Sequence, residues 1–249
     1  MTINLSQLAS LCTITQKPAI NTPLPPRVVI GVDEVGRGAL FGHMTVAAAI
    51  LPSDLTGNFG EIDLGDTPIK LLNDSKKLTE KRRESLFEPI KSLAYDYAIV
   101  DVPRTVIDEI NIANATMFGM RLAIESLLSR HQLTPSSTSI LVDGIQFPNL
   151  QNGVAAAFYD NHTLIKGDGT HSTIACASIL AKVHRDRAMV EYGKAFPEYR
   201  IEGHKGYLTA MHKAAILEHG ILPEHRRSYS PIKELYHDGF INRTYWQGV

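Results

Sequence analysis

The apolar run Val28-Val29-Ile30 leads into Gly31-Val32-Asp33-Glu34-Val35-Gly36-Arg37-Gly38. A short, continuously apolar run suits a central strand buried on both faces. Here it ends in two adjacent carboxylates and a turn in which two glycines bracket an arginine. Such a strand end is a poor way to build a core and a good way to hold a divalent cation beside a phosphodiester. An isolated Asp-Glu pair is more commonly a solvated turn. The glycines, and further acids downstream, favour the metal reading.

The remainder of the chain alternates strands with helices. Met44 to Leu51 reads as a second strand, Tyr95 to Val102 as a third, Ser139 to Val142 as a fourth and His162 to Lys166 as a fifth. Thr79 to Leu93 reads as a helix, with Thr79 as N-cap and Glu80 in the first turn. Met117, Met120, Ile124, Leu127 and Leu128 recur at helical spacing within Asn114 to Arg130. Thr173 to Tyr192 is a long helix whose Ala175, Ala177 and Ala181 permit close approach to a sheet, and Thr209 to His219 is a further helix. Residues 53–70 read as a loop. This order predicts an α/β sheet with helices on both faces.

Three of these strands end in acid: Asp33-Glu34, Asp143-Gly144 and Lys166-Gly167-Asp168. Sites in open α/β sheets gather at strand ends. Four carboxylates meeting there repel one another unless a cation neutralises them. Hard oxygen ligands without cysteine or an obvious histidine point to Mg²⁺ or Mn²⁺ rather than zinc. Taken singly, Asp143 and Asp168 also suit turn or cap positions.

Gly36-Arg37-Gly38 with Gly42 superficially suggests a dinucleotide loop, but that motif needs a helix directly after the glycines, and Met44 to Leu51 reads as a strand. No Gly-Lys-Ser/Thr follows, which excludes a P-loop. What survives is a tight turn that lets backbone groups approach a ligand closely.

The 249 residues carry a formal net charge of -1, so no global field draws in nucleic acid. Any such site must be a local basic patch. Residues 74–83 hold five Lys/Arg against two acids, and residues 200–233 hold six against three Glu, with four of the ten histidines. Charge runs of this kind are often only solvated faces. Gly203-His204-Lys205-Gly206-Tyr207 differs in setting a tyrosine, able to stack on a sugar or base, beside a lysine. Cys12 and Cys176 are too few for a disulfide framework. No secretory signal or long apolar span is evident, so the cytoplasm is the expected location and no membrane is involved.

Asp33-Glu34-Val35-Gly36-Arg37-Gly38, Asn73-Asp74-Ser75-Lys76-Lys77-Leu78, Leu141-Val142-Asp143-Gly144, Lys166-Gly167-Asp168, Ala177-Ser178-Ile179-Leu180-Ala181-Lys182, Arg185-Asp186, His204-Lys205-Gly206-Tyr207 and His225-Arg226-Arg227-Ser228 occur in that order. Across roughly residues 27–235 the chain resembles bacterial ribonuclease HII. The related ribonuclease HIII carries a sizeable extra N-terminal domain and lacks the arginine in its glycine motif, so Arg37 favours type HII.

The resemblance implies a ribonuclease H-like fold: a mixed sheet of about five strands, helices on both faces and a C-terminal helical part. It implies a catalytic domain over 27–237, flanked by an N-terminal extension or linker, 1–26, and a tail, 238–249. It implies cleavage of the RNA strand of RNA–DNA hybrids and nicking at single ribonucleotides in duplex DNA, in ribonucleotide removal and RNA primer processing during DNA replication and repair. Asp33, Glu34, Asp143 and Asp168 are the implied catalytic and metal-binding acids, with two Mn²⁺ or Mg²⁺ ions in the catalytic state. Arg37 with the Gly36 and Gly38 backbone would recognise the ribose 2′-hydroxyl, and Tyr207 would pack on the neighbouring sugar. Lys76, Lys182 and Lys205 are candidates for phosphate contacts. A monomer is expected. The segment Ala39-Leu40-Phe41-Gly42-His43 departs from the family, whose members usually carry prolines there, and residues 57–70 and 149–161 look longer than usual. Two other classes fit less well. A non-catalytic nucleic-acid binder would not need all four acids intact, and another metal-dependent phosphotransferase or nuclease would differ in substrate preference.

Overall fold

The computed structural model describes residues 4–18, 23–151 and 158–237. The expected tail, 238–249, and part of the long 149–161 segment lie outside these. Six strands form one mixed sheet: β1 (Thr13–Gln16), β2 (Val28–Val35), β3 (Met44–Ile50), β4 (Asp96–Val102), β5 (Thr138–Asp143) and β6 (Asp160–Leu164), in the order β1-β4-β3-β2-β5-β6. The β1-β4, β4-β3 and β3-β2 pairs are antiparallel, and the β2-β5 and β5-β6 pairs are parallel. The parallel β2-β5 pairing therefore brings the C-terminal end of β2, which carries Asp33 and Glu34, beside the C-terminal end of β5, which carries Asp143.

The helices are α1 (Leu5–Ser10), α2 (Glu80–Leu93), α3 (Arg104–Arg130), α4 (Ser172–Ala195), α5 (Ile201–His204), α6 (Ala210–His219) and α7 (Ile232–His237). Side chains alternate across a strand. Ile30 and Val32 of β2, with Ala98, Val100 and Val102 of β4, accordingly face the α3 core, while Ala47, Ala49 and Ile99 face α2 and α4. Burial of each large aliphatic side chain contributes about 1.5–3 kcal/mol. The α4 face is lined with small residues so that the helix lies close to the sheet. A Cβ on Gly31 would stand 2.3 Å from the Thr173 carbonyl carbon. A third cluster, around Phe41, Tyr192, Tyr199 and Ile216, joins the C-terminal helices to α4.

Three expectations change. Among the described residues the sheet has six strands, because Thr13–Gln16, expected within an extension, pairs with Asp101–Ala98 of β4. All four of its residues are exposed, so no buried face marks it as a strand in the sequence. Helix α3 begins at Arg104 rather than Asn114. It contains a break at Asn111 (φ 64°, ψ 165°), whose side chain accepts from Asn114 N as a local cap. Finally, β2 continues to Val35, so Asp33 and Glu34 lie within the strand and not after it.

Candidate active site

Asp33 falls on the α4 side of β2 and is 4% exposed. Its Oδ1 accepts the Glu34 amide at 2.7 Å, and the Ser178 hydroxyl of α4 also hydrogen-bonds to it. Burial first, then the Glu34 and Asp143 charges, hold its pKa well above the ordinary range. Glu34 takes the opposite strand face, where Arg37 reaches it at 3.3 Å. Burial raises its pKa, against the pull of Arg37. Asp143 Oδ1 accepts the Gly167 amide at 2.6 Å, which ties the end of β5 to the 3-10 turn Gly167–Gly169. Asp168, in that turn, is 1% exposed. Burial raises its pKa, Lys76 opposes the rise, and the Asp74 and Asp143 charges add to it.

The turn itself is braced from 57–62: Phe59 N donates to Thr170 O at 2.9 Å and Ser172 N to Gly57 O at 3.0 Å. The loop before α2 is braced from α4. Ser75 Oγ and Ser178 Oγ share a buried hydrogen bond of 2.8 Å, and Asp74 Oδ1 accepts Lys76 N at 2.8 Å. This delivers Lys76 Nζ to 3.6 Å from Asp168 Oδ2. Burial alone lowers the lysine pKa, but Asp168, Asp33, Asp143 and Asp74 outweigh it and raise the pKa overall.

A hard divalent cation suits this donor set. Every donor is a carboxylate oxygen, and Asp168 Oδ2 is buried with no hydrogen-bond partner. Among the described residues no three His, Cys, Asp or Glu side chains already converge tightly enough to hold an ion alone. Mg²⁺-type centres take one or two carboxylates and complete their shell with water and substrate phosphate, so Asp33, Glu34, Asp143 and Asp168 remain the residues that would hold it.

The glycine turn adjoins these acids. Gly36 has φ +88°. Carbonyls of the 37–43 segment point inward and are collected by two arginines, Arg185 and Arg226, neither with measurable exposure. Arg185 donates to His43 O (2.9 Å), Phe41 O (3.1 Å) and Lys205 O (2.9 Å). Arg226 donates to Gly42 O (3.0 Å) and Arg37 O (2.8 Å), and the Tyr229 hydroxyl adds a second donor to Arg37 O at 2.7 Å. Behind the turn, Gly206 O accepts Leu40 N at 2.8 Å, which fixes the neighbouring loop so that the Tyr207 ring lies against Gly38. A Cβ there would be 3.9 Å from Tyr207 Cε1.

The fold thus brings Asp33, Glu34, Asp143, Asp168 and Lys76 together, with Gly36, Arg37, Gly38 and Tyr207 beside them. Lys182 and Lys205 each stand in an ion pair. Lys182 pairs with Asp186 at 2.8 Å, and Lys205 with Glu80 at 3.2 Å. Sequence reasoning gave no role to Arg185, Arg226, Asp74 or Ser178. All four lay in recognised motif blocks, but residue type alone does not distinguish a buried arginine from a surface one or a bracing polar group from a solvated one. Among the described residues no helix is long and apolar enough to cross a membrane.

Comparison with known proteins bears on this arrangement. The family model described as "Ribonuclease HII" matches residues 30–231. A curated relative of that name from Psychrobacter sp. (strain PRwf-1) is 45% identical over 82% of this chain and 78% of its own length. One from Shewanella pealeana is 45% identical over 82% and 88%. Among solved structures, the ribonuclease H2 of Pyrococcus horikoshii OT3 superposes with TM-score 0.62 at 23% identity, covering 85% of this chain and 98% of that one. Bst-RNase HIII in complex with Mn²⁺ gives TM-score 0.56 at 18% identity over 86% and 70%. At these identities the structures speak for the fold.

Proposed function

The chain belongs to the ribonuclease HII family and is a nuclease, and from that premise we propose that it hydrolyses the RNA strand of RNA–DNA hybrids and nicks on the 5′ side of single ribonucleotides in duplex DNA. Cleavage leaves 5′-phosphate and 3′-hydroxyl ends and serves ribonucleotide removal and primer processing in the cytoplasm, with the protein acting as a monomer. The observation that carries this reading is the adjacency of two things: buried carboxylates with raised pKa values, and a turn whose backbone is rigidly held against Tyr207.

Asp33, Glu34, Asp143 and Asp168 would hold the divalent cations, two in the catalytic state, which would supply Lewis acidity toward the phosphate and ease deprotonation of the attacking water. Arg37, 53% exposed, and the Gly36 and Gly38 backbone face the one group that separates a ribonucleotide from its DNA neighbours, the 2′-hydroxyl. A site built to pair that hydroxyl rejects a substrate lacking it by roughly 10⁴ or more. Tyr207 supports the adjoining sugar, and Lys76 receives a phosphate.

The decisive experiment is cleavage of a labelled duplex carrying one ribonucleotide, with Mg²⁺, Mn²⁺ or EDTA. A metal-dependent nick on the 5′ side is expected. Cleavage confined to long hybrids would refute the role of the glycine turn, and tight binding without cleavage would refute the enzymatic reading.

A further inference from the structure

We propose that Lys76 is the resident counter-ion of the carboxylate cluster and competes with divalent metal for Asp168, so that this one lysine sets the metal affinity of the centre. The inference rests on the assignment of Asp33, Glu34, Asp143 and Asp168 as the metal-binding acids.

Its first support is geometric. Asp168 is 1% exposed. Its Oδ2 has no hydrogen-bond partner, and its ion pair is with Lys76 Nζ at 3.6 Å. Asp74 hydrogen-bonds elsewhere on the same carboxyl group, but a buried carboxylate oxygen with neither a hydrogen bond nor a counter-charge carries a heavy desolvation cost. The ammonium therefore does for the metal-free cluster what a cation would do in the loaded one.

The lysine is also delivered to this position. Its backbone is fixed by the Ser75–Ser178 bond, by the Asp74 carboxylate on its own amide and by Arg83 Nη1 donating to Ser75 O at 2.8 Å. By contrast the side chain is 79% exposed, so the ammonium can swing into water at little solvation cost when a cation arrives. A flexible point charge is suited to such displacement in a way that a rigid guanidinium fork is not.

Charge bookkeeping points the same way. The four acids face Lys76 and Arg37, and Arg37 is already engaged with Glu34 at 3.3 Å. Asp74, beside Asp168, adds another negative charge. An ammonium held among these groups opposes entry of a divalent ion. Released by that ion, it becomes free to meet the substrate phosphate, which joins the two roles of the residue in one motion. Lys77 supplies the contrast: it is 69% exposed and turned toward Asp74 at 3.9 Å.

The test is Mn²⁺ binding to the full-length protein without nucleic acid, followed by calorimetry and by Mn²⁺ electron paramagnetic resonance, for the wild type, Lys76→Met, Lys76→Arg, Lys77→Met and Asp33→Asn. A unit charge a few ångströms from a divalent ion, in the water-like surroundings of an exposed ammonium, changes the binding constant by about tenfold. Lys76→Met is therefore expected to bind Mn²⁺ about tenfold tighter than wild type, Lys77→Met within about twofold of wild type, and Lys76→Arg, whose guanidinium fork is harder to displace, more weakly than wild type. In thermal melts Lys76→Met should be less stable than wild type without metal and show the larger rise on adding Mn²⁺. Mn²⁺ affinity of Lys76→Met equal to or weaker than wild type, while Asp33→Asn loses binding, would overturn the competition and leave the metal centre standing. Binding undiminished in Asp33→Asn would overturn the carboxylate assignment and the proposal with it.

Discussion

Replacing Gly36 by alanine separates the scaffold of the glycine turn from its chemistry. At φ +88° an L-residue is in left-handed territory, which costs about 1–2 kcal/mol. The added Cβ would also stand 2.3, 2.7 and 2.8 Å from Nε, Cδ and Cζ of Arg185. That side chain has no exposure and spends its donors on His43 O, Phe41 O and Lys205 O, so it cannot retreat without losing at least one charge-assisted bond, about 1.5–3 kcal/mol. Together the two effects amount to about 3–5 kcal/mol, a large fraction of a typical domain's stability. Gly38→Ala is the matched control: its φ is not positive and the nearest atom to a new Cβ is Tyr207 Cε1 at 3.9 Å. It should cost under about 1 kcal/mol. Urea unfolding of both variants, alongside cleavage of a duplex with one ribonucleotide, reads the difference. Gly36→Ala should lose stability and cleavage together, whereas Gly38→Ala should keep stability and lose cleavage at the single ribonucleotide. A Gly36→Ala protein within 1 kcal/mol of wild type would refute the idea that Arg185 props the turn rigidly.

Asp33→Asn should abolish cleavage and yet raise the melting temperature of the metal-free protein, because it removes a buried charge that burial and the Glu34 and Asp143 carboxylates disfavour. The rise is about 2–4 °C for each kcal/mol relieved, and an unchanged or lower melting temperature in EDTA would count against the repulsive cluster. Tyr207→Ala should depress cleavage at single ribonucleotides far more than it lowers the melting temperature, since the ring's cation–π contact with Arg185, at 5.7 Å, is worth only about 0.5–2 kcal/mol; parallel losses would make Tyr207 a core residue. Burial pushes His43 and His212 down to about 4 and His225 to about 3. The unfolded chain therefore binds more protons than the folded one between those values and the ordinary histidine pKa of about 6.5. Stability should fall as pH drops from about 6.5 toward 4, and His225→Gln should flatten that slope in urea midpoints measured at pH 7 and pH 5.

The parts of the fold legible in the sequence are those where burial imposes a period. Strands β2 to β5 and helices α2, α4 and α6 carry apolar patterns or caps tied to the core, and Thr79 and Thr209 cap α2 and α6 through the amides of Arg82 and His212. Part of what escaped has no such imprint. Strand β1, Thr-Ile-Thr-Gln, buries nothing and exists because the edge of β4 offers unpaired backbone groups. The first turns of α3 went unread although Val106, Ile107 and Ile110 keep the helical spacing that runs on through Met117 to Leu128; the break at Asn111, with its positive φ, falls between the two stretches.

The site divides along a similar line. Acids at strand ends were readable because an α/β sheet has only one place to put them, and the register of β2 with β5 makes Asp33 and Asp143 neighbours once both strands exist. The support of the glycine turn was not readable. A turn with positive φ at Gly36 and Gly42 leaves carbonyls with no ladder to join, and buried carbonyls need donors. Those donors, Arg185 and Arg226, come from 142 to 189 positions away, and nothing local marks them. Each guanidinium must be stripped of water to serve, a cost met only because several carbonyls converge on it at once. The dependence runs in both directions. Without the turn the arginines are uncompensated buried charges, and without the arginines the turn is a set of unpaired carbonyls. Rigidity of the backbone beside the carboxylates is therefore a property of the pair of loops and α4 acting as one unit, and it emerges only when chain segments distant in sequence have already docked.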